Sequence, residues 1–563
     1  MIRIFVPILM FTATVAQADP PPNILMILAD DLGWTDTSVQ MDLNEPNSKS
    51  DFYQTPNLEA MAAAGMKFSN AYAAASVCSP TRASIQTGKT TAQLHMTDIT
   101  AAGEPGVQWR KWFYEDRALI PPMPLAKLPL GEVTIPEYLK AGNPSYFTSH
   151  HQRWHLNTPA NELPYKGDER SQGYDVANTG FGVFPAGTDP KLIAGTASRA
   201  IDAMETAIAA GRPFYTQVSF FGVHTPYEAL PATIDKYENL PPGQRHDQPL
   251  YAAMVEELDA GVGTLLDKLD ELGIADNTYV VFFSDNGGRV HWEATTNAPL
   301  FDGKGAIWEG GLRVPLIVRG PGIQANSASD VPVISYDLLS TFGDMAGVTN
   351  PEPAGVEGTS LLPLLENGGV LPAGALSRAH GPNGELFFHY PHYISHRTPT
   401  SAIRDGDYKL VRVYGQNGAP DGIYLFDFSA TLTESSILSS PFNLASSMPA
   451  QTALMLGKLD AWLAAVGAGM PEPAGGDFNG DNIVDLTDLA DWENYFGTIG
   501  VQHAEGDANG DAFADGRDFL SWQRDFGSNV ASLASSVPEP SAVVLGSFGM
   551  VFVMFVGRRF GYR

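Results

Sequence analysis

Three short apolar runs along the chain predict buried strands. They cover Asn23–Ala29, Phe214–Phe221 and Thr278–Ser284, and each is shorter than a typical helix. A run of this length without alternating polar positions is typical of a parallel strand that is covered on both faces. The runs therefore predict a mostly parallel sheet with a layer of structure on each side.

Polar residues follow each run directly. Asp30 and Asp31 follow the first run, Asp285 and Asn286 follow the third, and the second leads into Gly-Val-His-Thr-Pro, which contains His224. Open α/β sheets bind their ligands at the carboxyl ends of the strands. These residues are therefore candidates for a ligand site or a metal site.

Helical patterns lie between the predicted strands. In the clearest one, Tyr251–Leu272, apolar residues recur at helical spacing and Gly273 ends the pattern. Alternating strands and helices predict an α/β sandwich. Further along, Ser401–Tyr414 contains an Asp-Gly pair between two strand-like runs, which predicts a hairpin in a small antiparallel subdomain.

The N-terminus has the three parts of a signal peptide. A basic start at Arg3 precedes the apolar run Ile4–Val15 and the small-residue sequence Ala-Gln-Ala, which ends at Ala18. This pattern predicts a signal peptide over residues 1–18, with Asp19 as the first residue of the mature chain. A buried first helix is the alternative interpretation.

The C-terminus, residues 537–563, has a matching three-part pattern. A Val-Pro-Glu-Pro sequence precedes the apolar stretch Ala542–Val556, and Arg558 and Arg559 follow. The pattern resembles the sorting tag of exosortase-type surface proteins, which implies a sorting and processing enzyme as a partner. The stretch is short for a membrane span, which takes about 17–25 apolar residues. A permanent membrane anchor is the alternative.

Residues 474–527 contain a duplicated acidic pattern with an offset of 30 residues. Each copy has oxygen donors at loop positions 1, 3, 5, 9 and 12, and an apolar helix follows. The donors are Asp477, Asn479, Asp481, Asp485 and Asp488 in the first copy, and Asp507, Asn509, Asp511, Asp515 and Asp518 in the second. This spacing is EF-hand-like and predicts two calcium sites.

The repeated segment resembles a type I dockerin, which implies a small helical module and a cohesin-like partner. It holds 12 acids against 2 arginines, so calcium binding would be coupled to its folding. A standard EF-hand has Glu at position 12, where both copies here have Asp. The alternative for the segment is a solvated acidic linker, and a stalk between enzyme and anchor is the alternative to a docking role.

Composition sets two limits on function. The chain has 563 residues, a net charge of −29 and a single cysteine, Cys78. An acidic surface argues against nucleic acid as a partner, and an anionic substrate would need a locally basic pocket. A lone thiol cannot form an internal disulfide, so an exported chain needs another reason to keep one. A buried cysteine that packs as a small hydrophobe is the simplest such reason.

The neighbours of Cys78 supply a different reason. The segment reads Cys-Ser-Pro-Thr-Arg up to Arg82 and continues Ala-Ser-Ile-Gln-Thr-Gly-Lys. This spacing resembles the signature of type I, formylglycine-dependent sulfatases, and the resemblance covers roughly residues 22–469. It implies that a maturation enzyme oxidises Cys78 to formylglycine. It also implies an alkaline-phosphatase-like α/β sandwich whose small C-terminal subdomain starts at about residue 380.

The resemblance implies roles for further residues. A hydrated formylglycine has two hydroxyls: one attacks the sulfur and carries the sulfate, and deprotonation of the other expels it. His224 matches the residue that protonates the leaving oxygen, and His155 matches the residue that takes the hydroxyl proton. Arg82 matches the arginine that holds the modified residue, and Lys304, in Gly-Lys-Gly, matches the sulfate-binding lysine.

The same resemblance implies a metal site. Asp30, Asp31, Asp285 and Asn286 match the family's ligands, and Cys78 as formylglycine adds another. These are hard oxygen donors, which favour calcium or magnesium over zinc, and the resemblance favours calcium. One such pair alone would more simply be a turn or a helix cap, but two pairs that close two buried strands favour a metal.

The segment around His155 departs from the family pattern Gly-Lys-Trp-His-Leu-Gly. Here Gln152 and Asn157 replace the glycines, and Arg153 replaces the lysine. Arginine keeps the positive charge without the compact ammonium, and loss of the glycines restricts the backbone. Our hypothesis is that Arg153 binds sulfate in an altered geometry. A second segment, Phe387–Tyr393, resembles one found in many bacterial sulfatases, and both sugar binding and core packing are open for it.

Together these features predict an exported sulfatase that acts on sulfated carbohydrate at the cell surface, in the periplasm or at the outer membrane. The predicted parts are the signal peptide (1–18), the sulfatase domain (22–469), the dockerin-like repeats (474–527) and the sorting tag (537–563). Two alternatives remain. One is a phosphonate or phosphate ester hydrolase of the same superfamily, and the other is a calcium-dependent scaffold protein whose catalytic domain has decayed.

Overall fold

The structure is a computed structural model. It describes residues 20–99, 119–156, 170–178, 188–290, 294–374, 376–394, 397–415, 420–473, 475–480, 483–509 and 513–526. The predicted signal peptide and sorting tag lie outside the described residues, and so do Asn157, Asp481 and Asp511. Within the described residues, no helix combines the length and the apolar character that a membrane crossing requires.

The described chain alternates strands and helices in its first two thirds. The strands are β1 Asn23–Ala29, β2 Met66–Phe68, β3 Ala71–Tyr72, β4 Leu119–Ile120, β5 Phe147–Gln152, β6 Val176–Asn178, β7 Phe214–Ser219, β8 Thr278–Ser284, β9 Leu316–Arg319, β10 Ser327–Ser329, β11 Val333–Ile334, β12 Leu386–Tyr390, β13 Thr400–Asp405, β14 Tyr408–Val413, β15 Gly422–Asp427 and β16 Glu472–Pro473. The helices are α1 Pro56–Ala63, α2 Cys78–Thr87, α3 Ile135–Gly142, α4 Ile193–Ala209, α5 Pro231–Glu238, α6 Pro249–Glu271, α7 Glu309–Leu312, α8 Asp337–Met345, α9 Leu362–Glu366, α10 Pro449–Ala465, α11 Leu486–Tyr495 and α12 Gly516–Asp525.

The central sheet has eight strands in the order β10-β2-β9-β8-β1-β7-β5-β6. Strand β1 pairs in parallel with β7 on one side and β8 on the other. Only β9 runs against the other strands of this sheet. The predicted, mostly parallel α/β sheet is therefore confirmed. The predicted strand Phe214–Phe221 ends two residues early, at Ser219, because the chain turns there and Val223 adopts a φ of 66°.

Strand β1 shows why its run is apolar throughout. Leu25, Ile27 and Ala29 face one hydrophobic core, which contains the apolar faces of α1, α4 and α6. The intervening residues, Ile24, Met26 and Leu28, face a second core, where α3, α8 and α9 pack. Both faces of the sheet are covered, and every residue of β1 is buried.

A second, antiparallel sheet consists of β12, β13, β14 and β15 in sequence order. Its β13–β14 hairpin turns at Gly406, which has a φ of 59°, as the Asp-Gly pair predicts. Strand β12 carries most of the Phe387–Tyr393 segment, and its His389 lies in the core. The two ring nitrogens of His389 contact Ser401 Oγ at 2.7 Å and the Gly469 carbonyl oxygen at 2.8 Å. Packing therefore accounts for His389.

The C-terminal repeats form two helices, α11 and α12, with reciprocal contacts. Trp492 Nε1 donates to the Asp515 carbonyl at 2.9 Å, and Trp522 Nε1 donates to the Asp485 carbonyl at 2.8 Å. Each tryptophan thus joins its own repeat to the start of the other repeat's helix. A small core that includes Phe478 and Trp522 lies between the two repeats.

Candidate active site

The two acidic pairs meet at the carboxyl edge of the central sheet. Strands β1 and β8 are in register up to Ala29 and Ser284, so the residues that follow emerge side by side. The Asp31 amide donates to Asp285 Oδ1 at 3.2 Å, and Asn286 Nδ2 donates to Asp31 Oδ1 at 2.8 Å. The four side chains of Asp30, Asp31, Asp285 and Asn286 are buried. The structure therefore brings together the four aspartate and asparagine side chains among the predicted metal ligands.

Cys78 is the first residue of α2 and points into the acidic group. Its Sγ lies 3.4 Å from Asp30 Oδ1 and 3.8 Å from Asp31 Oδ1. The preceding turn is closed by Thr81, whose Oγ1 accepts from the Ala75 amide at 3.1 Å and donates to the Ala75 carbonyl at 3.0 Å. Thr81 thus fixes where the helix begins and where the cysteine points.

Two buried arginines and one partly buried lysine lie against the carboxylates. Arg82 Nε donates to Asp285 Oδ2 at 2.8 Å, and its other end reaches Asp30 Oδ2 at 3.2 Å. Arg153 Nε lies 2.8 Å from Asp30 Oδ2. Lys304 Nζ lies 2.5 Å from Asp31 Oδ1 and 3.3 Å from Cys78 Sγ. These three cations balance the three carboxylates of Asp30, Asp31 and Asp285, so a bound divalent cation would give the pocket the positive charge that an anionic substrate needs.

Burial and these cations together set the ionisation of the centre. Burial opposes the charge on Asp30, but Arg153 and the other nearby cations outweigh it and hold its pKa below the usual value. Burial, reinforced by the charge of Asp30, raises the pKa of Asp285 to about 6. Burial and the carboxylates, Asp285 first, raise the pKa of the Cys78 thiol well above its usual range. The unmodified cysteine is therefore a neutral thiol, which is a weak nucleophile.

Both predicted histidines lie beside this group as neutral rings. His224 Nε2 lies 3.8 Å from Asp31 Oδ2, and its Nδ1 contacts the Thr225 carbonyl at 2.7 Å. Burial lowers the pKa of His224 to about 4. Arg153 donates from its terminal NH2 group to His155 Nδ1 at 3.1 Å. Burial and, second to it, the positive charge of Arg153 hold the pKa of His155 well below its usual value.

Gln152 occupies the position where the family pattern has glycine, and its φ is 76°. This is the left-handed region, which favours glycine. Its side chain is buried and bridges two other segments: Nε2 donates to the Lys191 carbonyl at 2.6 Å, and Oε1 accepts from the Phe221 amide at 2.9 Å. These two bonds offset the backbone strain. They hold the chain that presents Arg153 and His155, a role that the sequence analysis missed.

Glycines explain how the Lys304 segment comes so close to the Asp285–Asn286 pair. A Cβ on Gly287 would lie 1.8 Å from the Gly310 carbonyl oxygen. A Cβ on Gly310 would lie 2.2 Å from the Asp302 carbonyl oxygen. Only glycine allows these approaches, and they position Lys304 over Asp31.

The centre fits a divalent cation that prefers oxygen ligands. Asp31 Oδ2 and Asn286 Oδ1 are buried without a hydrogen-bond partner, although such atoms are normally paired. Ligand atoms of Asp30, Asp31, Cys78 and His224 all lie within 4.8 Å of one another. The acidic and amide oxygens match the donor set of calcium or magnesium.

The fold and the centre define the class of protein: an α/β protein with a buried group of carboxylates, cations and histidines at the carboxyl edge of a mostly parallel sheet. A family model described as "Sulfatase" matches residues 22–348, and one described as "N-sulphoglucosamine sulphohydrolase, C-terminal" matches residues 298–439.

Individual relatives agree. The chain is 30% identical to a sulfatase of Formosa agariphila, over 81% of this chain and 91% of that protein. It is 30% identical to human N-acetylgalactosamine-6-sulfatase, over 63% of this chain and 67% of that protein. The crystal structure of Ps i-CgsB in complex with k-i-k-neocarrahexaose matches with a TM-score of 0.62 and 23% identity, over 79% of this chain and 93% of that one.

The chain therefore belongs to the sulfatase family and is a sulfuric ester hydrolase.

Proposed function

We propose that the protein is an exported sulfatase that hydrolyses sulfate esters of carbohydrate with a formylglycine made from Cys78 and a bound calcium ion. One observation carries the proposal: Cys78 begins a helix inside a buried group of carboxylates, with its sulfur 3.4 Å from Asp30 Oδ1 and 3.3 Å from Lys304 Nζ. A nucleophile at this position would lie between the acidic side chains that would hold the cation and the lysine that would bind a sulfate oxygen.

The chain's own residues divide the work. Asp30, Asp31, Asp285 and Asn286 would hold the cation, which would supply positive charge for the sulfate oxygens. The hydrated aldehyde at position 78 would supply the nucleophilic hydroxyl and the release step. Lys304 would exchange its contact with Asp31 for a sulfate oxygen once a cation neutralises that carboxylate.

Proton transfer and positioning fall to four further side chains. His224 would give a proton from Nε2 to the leaving oxygen only as an imidazolium, because the Nδ1 proton of the neutral ring is donated to the Thr225 carbonyl; the charge of a bound anionic substrate would favour that protonated form. His155 would receive the hydroxyl proton at Nδ1, the nitrogen that accepts from Arg153 in the structure, so the proton would replace that hydrogen bond. Arg82 holds Asp30 and Asp285 in place, and Arg153 adds a second cation beside Asp30.

Carbohydrate is the substrate class that the surroundings favour. The named activity of the human relative is directed at a sulfated amino sugar, and the predicted signal peptide and sorting tag would bring the enzyme to polymers outside the cell. The sulfatase-like length of the core and the predicted surface targeting disfavour a phosphonate or phosphate ester as the substrate, and no single residue excludes one.

The decisive experiment is the mass of the peptide that spans Cys78, from protein purified from its own host. We expect an aldehyde at position 78, together with hydrolysis of a sulfate ester in preference to a phosphonate ester in one assay. The Cys78→Ala variant, produced in the same host, should lose the activity and keep its thermal unfolding temperature. An unmodified thiol in properly exported protein would contradict the mechanism and favour a non-catalytic scaffold role.

The C-terminal repeats are proposed as two calcium loops of a dockerin-like module. Supporting observations are the paired carboxylates at each helix start: Asp485 and Asp515 cap α11 and α12, and Asp488 and Asp518 accept the capping amides in return. Such a module would dock to a cohesin-like partner. Calcium-dependent pull-down of a cohesin panel tests this role, and failure to bind with calcium present would favour a stalk between the enzyme and the sorting tag.

A further inference from the structure

The junction between the catalytic domain and the small sheet encloses a cavity of about 280 Å³. Phe301, Asp302 and residues 305–308 form one wall, and residues of β12 to β15 with neighbouring loop residues form the other. The candidate catalytic and metal-binding side chains do not line it. Pockets for drug-sized ligands enclose roughly 300–1,000 Å³, so this cavity has room for one sugar ring and not for an oligosaccharide.

Aromatic rings in fixed positions form much of the apolar lining. Trp308 meets Phe301 edge-on, with ring centroids 5.5 Å apart, and meets Tyr424 edge-on at the same separation. These contacts hold the rings before any ligand arrives, which lowers the ordering cost of binding. Rings combined with a few polar groups are typical of pockets that bind partly apolar small molecules.

The polar lining carries an ion pair whose charges cancel. Arg397 Nε donates to Asp302 Oδ2 at 3.0 Å, and its NH2 group contacts Asp302 Oδ1 as well. The two-point contact satisfies the carboxylate in the way that arginine forks do. Beside the pair stands the hydroxyl-bearing Thr398. A neutral group with hydroxyls suits this wall better than a second sulfate, which would have to compete with Asp302 for the guanidinium.

The cavity adjoins the reaction centre through one short segment. Asp302 and Gly305 line the cavity, and Lys304 between them reaches Asp31 and the Cys78 sulfur. The Gly305 amide donates to the Ser76 carbonyl at 2.7 Å, two residues before Cys78. A ligand in the cavity would therefore lie against the segment that carries Lys304.

We propose that this cavity is a subsite for one uncharged sugar ring of the substrate, beside the ring that bears the scissile sulfate. The inference rests on the proposed carbohydrate substrate and adds to it a place where a neighbouring ring is recognised. A substrate that fills the cavity would be bound more tightly than a simple aryl sulfate, which is too short to reach it.

The test closes the cavity without touching the reaction centre. Thr398→Trp fills it from the loop side, Val413→Phe fills it from the sheet side, and Thr398→Ser is the matched control. Binding of desulfated neocarrahexaose and of the shorter desulfated neocarratetraose, whose rings are all uncharged, is measured by calorimetry on the full chain. Hydrolysis is measured with the sulfated parent sugars and with 4-nitrophenyl sulfate, and thermal unfolding reports on folding.

We expect at least one desulfated sugar to bind the wild type and to bind Thr398→Trp at least tenfold more weakly. The kcat/KM for its sulfated parent should fall at least tenfold, mainly through KM, while the value for 4-nitrophenyl sulfate stays within twofold. Thr398→Ser should stay within twofold for every substrate. If Thr398→Trp fails to fold, Val413→Phe should give the same result.

Two outcomes overturn the subsite: neither desulfated sugar binds the wild type, or both filled variants bind as tightly as the wild type. A different result would contradict the proposed function while leaving the subsite intact. Sugar binding that the filled variants lose, without hydrolysis of any sulfate ester by the wild type, would support the subsite and contradict the proposed function.

Discussion

The repulsion between neighbouring acidic residues is offset in different ways in two regions of this protein. At the carboxyl edge of the central sheet, Asp30, Asp31 and Asp285 are buried against Arg82, Lys304 and a second arginine. In the C-terminal repeats, 12 acids face only 2 arginines in the sequence. Side-chain cations therefore balance the carboxylates of the first group. In the second group most of the negative charge must be balanced by something other than side-chain cations.

Backbone amides supply part of that compensation in the repeats. Asp488 accepts hydrogen bonds from the amides of Phe478 at 2.7 Å, Asn479 at 3.1 Å and Asp485 at 2.8 Å. Amides orient a carboxylate but carry no net charge, so the proposed calcium ions would offset the remaining repulsion. Under the proposed function, removal of calcium should stop the reaction at the catalytic centre but leave the central sheet folded, whereas it should unfold the repeats.

The largest effect is expected where a fixed cation is removed. Arg82→Met leaves Asp285 buried without its guanidinium, and breaking a buried pair in this way costs about 3–5 kcal/mol. We expect a loss of that size in the free energy of unfolding, measured by denaturant titration, and loss of detectable sulfatase activity. Arg82→Lys, which keeps the charge, should recover part of the stability. Unchanged stability in Arg82→Met would show that fixed cations are not what keeps these acids buried.

The next effect concerns how the free energy of unfolding depends on pH. His224 has a pKa of about 4 in the folded protein, against about 6.5 when unfolded, so the unfolded chain binds more protons between these values. His224 should therefore contribute about 3 kcal/mol of stability as the pH rises from 4 to 6.5. Asp285, whose pKa is raised to about 6, acts in the opposite direction over this range, so the contribution of His224 is measured by denaturant unfolding at pH 4.5 and pH 6.5 as a difference from a variant without the ring.

The matched variant for that prediction is His224→Gln. Its stability relative to the wild type should improve at pH 4.5, because the variant has no ring to desolvate in its charged form. A difference between variant and wild type that is the same at both pH values would contradict the prediction. Hydrogen-exchange protection of α11 should be the same in His224→Gln and in the wild type, because that helix belongs to the C-terminal repeats and not to the catalytic centre.

A smaller effect is expected in the repeats. Asp488→Asn replaces one carboxylate oxygen with a donor, and the side chain then loses an acceptor for the amides of the loop. We expect the calcium concentration that gives half-maximal hydrogen-exchange protection of α11 to rise about tenfold or more. Glu493→Gln, an exposed change on the same helix, is the control and should leave it unchanged. Protection that does not depend on calcium in the wild type would remove the difference between the two acidic groups.

The features that could be predicted from the sequence are those that depend on a local pattern of residues. The apolar run of β1 and the acids after it predicted a ligand edge, because strand ends in a parallel sheet converge. The role of Gln152 was out of reach, because its bonds to Lys191 and Phe221 join segments far apart in the chain. The only signal was a non-glycine residue at a glycine position. The reciprocal bonds of Trp492 and Trp522 were missed for the same reason.

The smallest expected effect tests whether the fixed cations are interchangeable. Arg153 contacts Asp30 with one nitrogen and His155 with another, while a lysine at this position could make only one of these contacts. Since Arg82 also pairs with Asp30, we expect Arg153→Lys to change kcat/KM by less than about tenfold, or about 1.4 kcal/mol of barrier. Arg153→Met is the matched variant without charge and should lose more. A gain far above tenfold would mean that arginine impairs the natural site, and no change in either variant would mean that Arg153 does not contact the sulfate. A change within tenfold for lysine and a larger loss for methionine would show that charge, more than geometry, is what position 153 supplies to the centre.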